Sequence, residues 1–547
     1  MSANVVEYFA DRVSCHPDRP ALIARETWTF EELDMRVDWL AAGLRSIGFR
    51  PGDRAIVMVP MSLPLYQVLL ALLKLGGTAV FVDPWVGARQ IAKMAAYAEP
   101  TAYIGVGKSH LVRLFDRRLR TMSMTVTTGR RVWFVPARHE LDEVLRYDGP
   151  IEPRPVRAED TALVTFTSGS SGNPKGADRT HGFLGAQHRA LAAEFPYEPA
   201  DVDMPSFPVF SLNNLATGIT TVIPDMDFQN VAGVDPERIL AQMERHGVTT
   251  STASPPFFDR LAQFLQDHPE RTPPLRRILT GGAPISDEQL RTWESVFVDT
   301  DIEVLYGSTE AEPVAHLSSG ERLGLVESGT ETESARARGY CVGRPVAAVE
   351  TRVIAIHDGP IQPGDGPGDG MGNDGWKDIE LAQGDIGELV VCGEHVCQSY
   401  FRNPEATAEN KIRDGDGRVW HRMGDTGYFD DQGRFWLTGR VHSTIRRGDR
   451  QVQPQLVEQA AIGQDTRIRR AAAVGVADAT LGERVVLVLE LGSTDARPVG
   501  LEDEVRCRLE AAGQVVDEIV VRTEPLPVDP RHNSKIDYAA VLASLKT

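Results

Sequence analysis

The feature that most constrains the fold of this chain is an alternation of strand-like runs with amphipathic stretches along its 547 residues. Runs rich in β-branched and aliphatic residues, which favour strands, lie at residues 161–167, 277–279, 303–305 and 388–391. Stretches with apolar residues at helical spacing lie at residues 31–47, 236–246 and 286–296. Such alternation is typical of sheets covered by helices, so we predict an α/β fold.

Composition narrows the class of protein. The chain carries 77 acidic and 58 basic residues, a formal charge of -19 that argues against a nucleic-acid partner. Its five cysteines are scattered and odd in number, which fits a reducing compartment better than a disulfide framework. Residues 1–25 lack the apolar run of a secretory signal. We therefore expect a cytoplasmic globular protein.

The most apolar stretch, residues 68–82, is too interrupted to span a membrane. Lys74 and Gly76–Gly77 divide it into a segment with helical character and one with strand character. We predict a core helix followed by a strand, and no membrane span.

A polar run at residues 442–455 separates the body of the chain from the last hundred residues, which have strand-like segments of their own at 471–476, 485–491 and 515–521. We predict a large N-terminal domain, residues 1–439, and a small C-terminal domain, residues 440–547. The Gly-, Pro- and Asp-rich stretch 358–378 is predicted to be a surface loop.

The first motif that carries chemistry follows the strand at 162–166, and its members are Thr167, Ser168, Gly169, Ser170, Ser171, Gly172, Asn173, Pro174, Lys175 and Gly176. Small residues let the backbone wrap round phosphate oxygens, and Lys175 adds a positive charge. The P-loop of kinases is excluded, because Pro174 precedes the lysine and Gly176 follows it. A solvated Gly/Ser turn remains the alternative for this segment alone.

This segment resembles the signature loop of the acyl-adenylate-forming, AMP-binding superfamily, and further motifs follow in the family's order. They are residues 73–78 with Asp83–Pro84, then Gly281, Gly282, Ala283 and Pro284, then Tyr306, Gly307, Ser308, Thr309 and Glu310, then residues 420–425, Gly439–Arg440 and residues 533–537. The resemblance runs from about Trp28 to Tyr538. It implies an α/β fold in which a large N-terminal domain of layered sheets and helices carries a small, mobile α+β domain.

The same resemblance implies ATP and Mg²⁺ as cofactors. The loop Thr167–Gly172 with Lys175 would hold phosphates, residues 281–284 would lie beside adenine, and Tyr306 would stack on it, next to Gly307, Ser308 and Thr309. Glu310 would bind Mg²⁺, a hard cation suited to a carboxylate and phosphate oxygens. Singly, these would be an ordinary turn, a core tyrosine and a surface glutamate.

Three catalytic roles follow from the resemblance. Lys535 would neutralise the charge that develops as a carboxylate attacks the α-phosphate. Lys175 would act on the phosphates, and Arg440 would reach the ribose or phosphate as the domains move. Asp425 would accept both ribose hydroxyls. Taken alone, Asp425 would be a turn residue, and Arg440 and Lys535 solvated surface residues.

Two other constellations are incomplete. Cys392, His395 and Cys397 offer metal-ligand types but lack a fourth zinc ligand nearby, so a strand edge is the expected structure. No G-x-S-x-G nucleophile elbow occurs in the chain.

The acyl side of the site departs from the family pattern. Phe210 and Ser211 are candidates for binding the small-molecule acyl substrate, and Ser211 stands where relatives often carry an aromatic or His gate. His442 or Ser443 occupies the place of the usual hinge Asp, Gly448 comes about one residue early, and the stretch that shapes a thiol tunnel in CoA ligases is poorly kept. We therefore expect a second step without CoA.

Four further segments resemble the olefin-pathway β-lactone synthetases, and they lie at residues 207–210, 222–227, 341–345 and 528–533. This resemblance implies adenylation of a long-chain β-hydroxy acid, whose hydroxyl then displaces AMP to close a lactone with the advantage of an intramolecular step. Other enzymes of the same pathway are therefore candidate assembly partners. The alternatives are a fatty acyl-CoA synthetase or carrier-protein ligase, and a catalytically silent nucleotide-binding scaffold.

Overall fold

The computed structural model describes residues 3–82, 87–147, 149–167, 174–327, 339–361, 375–463, 465–492, 500–528 and 536–545. Within these ranges strands and helices interleave from end to end, and the strands form three sheets with helices packed on them. The predicted α/β class is confirmed.

The strands of the described ranges are β1 (Pro20–Ile23), β2 (Thr27–Thr29), β3 (Arg54–Met58), β4 (Thr78–Val82), β5 (Ala102–Gly105), β6 (Met124–Thr127), β7 (His139–Glu140), β8 (Thr161–Thr167), β9 (Lys175–Thr180), β10 (Val202–Pro205), β11 (Thr220–Val222), β12 (Thr250–Ala253), β13 (Arg277–Gly281), β14 (Asp301–Ser308), β15 (Ala311–Ser318), β16 (Tyr340–Pro345), β17 (Glu350–Ile354), β18 (Gly387–Cys392), β19 (Lys411–Arg413), β20 (Val419–Phe429), β21 (Phe435–Arg440), β22 (Ile445–Arg447), β23 (Arg450–Val452), β24 (Ile468–Asp478), β25 (Gly482–Leu491) and β26 (Glu518–Arg522).

The α-helices of the same ranges are α1 (Val6–Cys15), α2 (Phe30–Ser46), α3 (Leu63–Lys74), α4 (Ala88–Tyr97), α5 (Arg117–Thr121), α6 (Leu141–Val144), α7 (His181–Glu194), α8 (Pro208–Thr217), α9 (Pro236–His246), α10 (Pro255–Asp267), α11 (Asp287–Val296), α12 (Ser319–Glu327), α13 (Pro404–Asn410), α14 (Pro454–Ile462), α15 (Leu501–Ala511) and α16 (Tyr538–Ser544). Short 3₁₀ helices lie at Gly107–Phe115, Val231–Gly233, Gly375–Asp378 and Val441–Ser443.

One sheet of the described residues has the strand order β7-β6-β5-β3-β4-β8-β9. Its neighbouring strands are parallel except for the antiparallel pair β8 and β9. Because parallel strands bring their carboxyl ends to one edge, the segments that follow β4, β5, β6 and β8 all leave from the same edge.

The largest sheet in the described ranges has the order β17-β18-β20-β21-β16-β15-β14-β13-β12-β10-β11-β1-β2, with β19 paired to β20. From β11 to β14 its strands are parallel, and from β14 to β17 they are antiparallel. Strand β14 thus lies where the two halves meet, and it carries Tyr306 and Gly307.

The third sheet is built from the C-terminal residues in the order β23-β22-β25-β24, with β26 parallel to β25. The polar run at 442–455, predicted as a separator, includes the paired strands β22 and β23. Ile445 lies opposite Val452 in that pair, and both side chains are buried in the core of this sheet. The boundary between residues 439 and 440 stays a prediction.

The apolar stretch at 68–82 contains the end of helix α3, then strand β4, as predicted. Lys74 is buried at the end of α3, where its ammonium contacts Asp38 and lies 2.9 Å from an Asp34 carboxylate oxygen. No helix in the described ranges combines the length and apolar character needed to cross a bilayer. Of the predicted surface loop, residues 362–374 lie outside the described residues.

Candidate functional site

Three predicted site residues from three strands meet at one carboxylate. The β20–β21 register sets Asp425 opposite Arg440. An Arg440 Nη1 atom lies 2.9 Å from Asp425 Oδ1, and the Tyr306 hydroxyl donates to Asp425 Oδ2 at 2.7 Å. Asp425 is 7% exposed. Both carboxylate oxygens are therefore oriented by protein donors, while each keeps further acceptor capacity.

Electrostatics fixes the protonation of Tyr306 and Arg440. Burial, with the Asp425 charge added, raises the pKa of Tyr306 well above its ordinary value, so the phenol stays a donor. The Asp425 charge raises the pKa of Arg440, so the guanidinium stays a cation. An acceptor carboxylate flanked by a fixed donor and a cation suits recognition of paired hydroxyls beside a phosphate.

The turn after Tyr306 positions Glu310. Strand β14 ends at Ser308, and β15 begins at Ala311, so Thr309 and Glu310 form the connection. A Cβ at Gly307 would lie 2.8 Å from the Ala311 carbonyl oxygen, so this close approach requires glycine. The Ser308 hydroxyl accepts the Glu310 backbone N–H at 3.3 Å.

Glu310 is held by groups that the sequence analysis did not single out. The Tyr400 hydroxyl donates to Glu310 Oε1 at 2.8 Å. The Lys411 ammonium lies 5.5 Å from the centre of the Tyr400 ring and donates to the Cys397 carbonyl. The turn is also tied through its backbone, because the Cys397 N–H donates to the Glu310 carbonyl at 2.7 Å.

These neighbours keep Glu310 ionised. Burial alone would raise its pKa, but His421, Lys411 and the Tyr400 hydrogen bond oppose burial, and the pKa lies below its ordinary value. Burial, with the Lys411 charge added, lowers the pKa of His421 to about 3. That imidazole is neutral near pH 7, so Lys411 and Tyr400 are the groups that hold the negative charge there.

One segment joins Glu310 to the predicted phosphate loop. We call residues 396–403 the bridging segment. Its Phe401 N–H donates to the Gly176 carbonyl at 2.8 Å, and the Asn403 amide donates to the Pro174 carbonyl at 3.2 Å. Lys175 follows Pro174 and lies 3.5 Å from Glu409. The bridging segment thus holds the Lys175 backbone and the Glu310 turn in one frame.

The predicted adenine-side loop, Gly281 to Pro284, starts at the carboxyl end of β13 beside Tyr306. The register places Gly281 opposite Leu305, and a Cβ at Gly281 would lie 2.3 Å from the Leu305 carbonyl oxygen. Gly282 has a φ of +83°, which favours glycine. The loop therefore lies at the same strand ends as Tyr306, with Ala283 half-buried and Pro284 exposed.

Several predicted residues cannot be placed. Thr167 is the last residue of β8, and Ser168, Gly169, Ser170, Ser171 and Gly172 lie outside the described residues, as does Lys535. Their roles stay predictions. The structure brings together Tyr306, Glu310, Asp425 and Arg440, with Lys175 tied to them through the bridging segment.

The two acyl-substrate candidates are buried in α8. Phe210 is 3% exposed and packs in an apolar group with Leu279 of β13 and Leu305 of β14. Ser211 is fully buried, and its side chain neighbours the buried Tyr66 hydroxyl. Phe210 thus borders the strands that carry the site.

Cys392, His395 and Cys397 each have structural partners. His395 Nε2 lies 2.7 Å from the Pro313 carbonyl, and the Cys397 thiol donates to the Ser399 carbonyl at 3.0 Å. Cys392 is buried with Ile354 and Trp420. The described residues contain no group of three or more His, Cys, Asp or Glu side chains able to hold a metal.

The chain matches known proteins over most of its length. A family model described as "AMP-binding enzyme" matches residues 9–401. The chain is 36% identical to an olefin beta-lactone synthetase of Stenotrophomonas maltophilia, over 95% of this chain and 91% of that protein. It is 34% identical to one of Xanthomonas campestris pv. campestris, over 93% and 89%. The predicted resemblance is confirmed.

A solved structure shares the fold over its full length. The amide bond synthetase of Marinactinospora thermotolerans superposes with a TM-score of 0.77 at 22% identity, covering 99% of this chain and 100% of that one. At this identity the likeness shows the fold alone.

Proposed function

Since the chain belongs to the AMP-binding enzyme family, we propose that it uses ATP to activate a long-chain β-hydroxy carboxylic acid as its acyl-adenylate and then closes that intermediate to a β-lactone. The observation that carries the proposal is its nearly full-length similarity to two olefin beta-lactone synthetases. Pyrophosphate leaves in the first step and AMP in the second. We expect the reaction in the cytoplasm, where ATP is available.

In the first step the acid's carboxylate oxygen attacks the α-phosphate of ATP. Asp425 would accept the ribose hydroxyls, with Tyr306 and Arg440 fixing its orientation. Glu310 fits Mg²⁺, because it is an ionised carboxylate and this ion takes one or two carboxylates together with phosphate oxygens. Bound Mg²⁺ would neutralise phosphate charge. Lys175 and Lys535 would add positive charge around the phosphates.

In the second step the substrate's own β-hydroxyl oxygen bonds to the acyl carbon. The bond from that carbon to the phosphate oxygen breaks, AMP carries away the electron pair, and the hydroxyl proton passes to solvent or a base. The nucleophile is already part of the substrate, so its effective concentration at the acyl carbon is high. The enzyme therefore needs no binding path for a second substrate.

The connection after Arg440 supports a reaction without a thiol. The Arg440 carbonyl accepts the Thr444 N–H at 3.1 Å and the Ser443 hydroxyl at 3.0 Å. Gln453 Oε1 in turn accepts from the Thr426 and Thr444 hydroxyls, at 2.9 Å and 3.1 Å. These bonds tie the start of the C-terminal part to strand β20. The lactone step is compatible with them, because it does not require a rearrangement that opens a path for a thiol.

The test is product analysis with ATP, Mg²⁺ and a β-hydroxy fatty acid, with and without CoA. We expect AMP, pyrophosphate and a product lighter than the acid by one water, at a rate that CoA does not change. The matched control is the acid without the β-hydroxyl, which should stop at the adenylate. An acyl-CoA formed from both acids would assign the chain to CoA ligation instead.

A further inference from the structure

A basic surface with protruding aromatic side chains stands out on this acidic protein. Residues 107–138 contain eight basic residues and one acidic residue, a formal charge of +7 within a chain of -19. The basic residues are Lys108, Arg113, Arg117, Arg118, Arg120, Arg130, Arg131 and Arg138. Of these, Arg131 is the one with an ion pair recorded within the described ranges, and its partners are Glu140 and Glu143. Arg113 is buried, and the charge of the other, exposed residues is available to an anionic partner.

Large apolar side chains project from the same surface. Trp133 is 88% exposed and Phe134 53%, and their rings pack edge to face with centroids 5.2 Å apart. Phe115 and Leu114, at 51% and 43% exposed, add to them. Large side chains this exposed cost free energy in water, so a group of four indicates a surface that meets an apolar partner.

These residues form one unit because a buried arginine ties their segments together. Arg113 Nε donates to the Leu119 carbonyl at 3.2 Å, and its Nη1 donates to the Pro136 carbonyl at 3.4 Å. The 3₁₀ helix Gly107–Phe115, helix α5 and the segment 130–136 are thereby fixed to one another. We call this surface the basic aromatic face.

The basic aromatic face lies towards the edge of the sheet where the phosphate loop begins. Two of its segments follow the carboxyl ends of β5 and β6, and the phosphate loop follows the carboxyl end of β8 in the same parallel sheet. Strands β5 and β8 are three positions apart in that sheet, roughly 15 Å at the usual strand spacing.

From this combination we infer that the basic aromatic face docks the enzyme on an anionic lipid bilayer. Tryptophan and phenylalanine enter the boundary between headgroups and acyl chains, and arginine and lysine pair with anionic headgroups. A protein partner would satisfy the charges, but it would need a matching apolar pocket for an aromatic pair in which Trp133 is 88% exposed. A bilayer accepts protruding rings of any shape. The inference rests on this surface and does not depend on the proposed lactone step.

The experiment is vesicle flotation of the full chain, with neutral phosphatidylcholine vesicles and with vesicles containing about 30% phosphatidylglycerol. We expect binding to the anionic vesicles that weakens as salt is raised, and little binding to the neutral ones. Trp133→Ala with Phe134→Ala should weaken binding roughly 10-fold or more, because two rings that would enter the bilayer are lost. Arg117→Ala with Arg118→Ala should weaken it to a similar extent.

Matched controls separate a local effect from a general one. Arg245→Ala with Arg291→Ala removes the same charge from exposed positions on α9 and α11, and Val298→Ser removes an exposed apolar side chain elsewhere. Both should bind vesicles as the unaltered chain does. Thermal unfolding should be unchanged in every variant, because the altered side chains are exposed. Equal binding to both vesicle types, or unchanged binding after loss of Trp133 and Phe134, would overturn the inference. So would charge-dependent binding to an acidic protein without binding to vesicles.

Discussion

Removing the Tyr400 hydroxyl should raise the Mg²⁺ requirement without abolishing the fold. Tyr400→Phe deletes the single hydrogen bond at 2.8 Å that this side chain gives to Glu310 Oε1. A hydrogen bond to a charged group is worth about 1.5–3 kcal/mol, which corresponds to a factor of about 10 to 150. Part of that energy holds the carboxylate in place, so the Mg²⁺ concentration for half-maximal activity should rise by roughly 10-fold.

The same substitution should move the acid side of the pH profile. The Tyr400 hydrogen bond is one of the groups that keep the pKa of Glu310 below its ordinary value. Without it the pKa rises, so the carboxylate becomes protonated at a higher pH and activity at low pH is lost sooner. The assay is pyrophosphate release across a pH series and a Mg²⁺ series at saturating ATP. Glu310→Gln, which removes the charge itself, should give the larger Mg²⁺ effect.

Tyr97→Phe is the matched control. The Tyr97 hydroxyl donates to the Arg402 carbonyl at 2.6 Å, so this change removes a tyrosine hydroxyl that contacts the same bridging segment without touching Glu310. It should leave both titrations unchanged. If Tyr400→Phe also leaves them unchanged, or if Tyr97→Phe shifts them equally, Tyr400 does not set the ionisation or position of Glu310.

Three other predictions concern catalysis and stability. Lys535→Ala should lower turnover by roughly 100-fold or more while ATP binding, measured by calorimetry, is retained, and near-normal pyrophosphate release would remove Lys535 from the catalytic set. Arg422→Met should lower the free energy of unfolding by about 3–5 kcal/mol, because it leaves the buried Glu388 carboxylate without its partner, and denaturant unfolding should show partial recovery with Glu388→Leu added. Burial raises the pKa of Glu458 to about 7, so its contribution to stability is full below the unfolded pKa and is lost as pH rises through 7. Glu458→Gln should therefore reduce the fall in melting temperature between pH 5 and pH 8 by the part that the titration of Glu458 causes. An unchanged fall would show that Glu458 is not its source.

The sequence predicts the bounds of a helix well when capping residues at its two ends determine them. Helix α9 has its predicted bounds, Pro236–His246, because the Asp235 side chain caps its start and Gly247 ends it in the left-handed region. Strand β14 was predicted too short, at residues 303–305. It extends from Asp301 to Ser308 because its neighbours β13 and β15 supply hydrogen bonds along a length that hydrophobicity does not mark.

The sequence motifs identified most of the candidate site residues, but the contacts among these residues depend on the tertiary structure. The Asp425–Arg440 contact follows from strand register, and Tyr400 reaches Glu310 across ninety positions of sequence. Lys411 was missed because a single lysine near a helix end normally indicates a solvated side chain. Only the packing of β19 against β20 shows that this one is buried.

The position of β21 in the largest sheet has a consequence for how the chain is made. In the strand order, β21 is the element that lies between β20 and β16, and so it joins the antiparallel strip β17–β20 to the rest. A nascent chain that stops short of Phe435 therefore exposes two open strand edges at once, which is a hazard for aggregation on the ribosome. The same strand ends at Arg440. Closing the sheet and bringing that guanidinium to Asp425 are then a single late event, and the group formed by Tyr306, Asp425 and Arg440 is not complete until about four fifths of the chain has been synthesised.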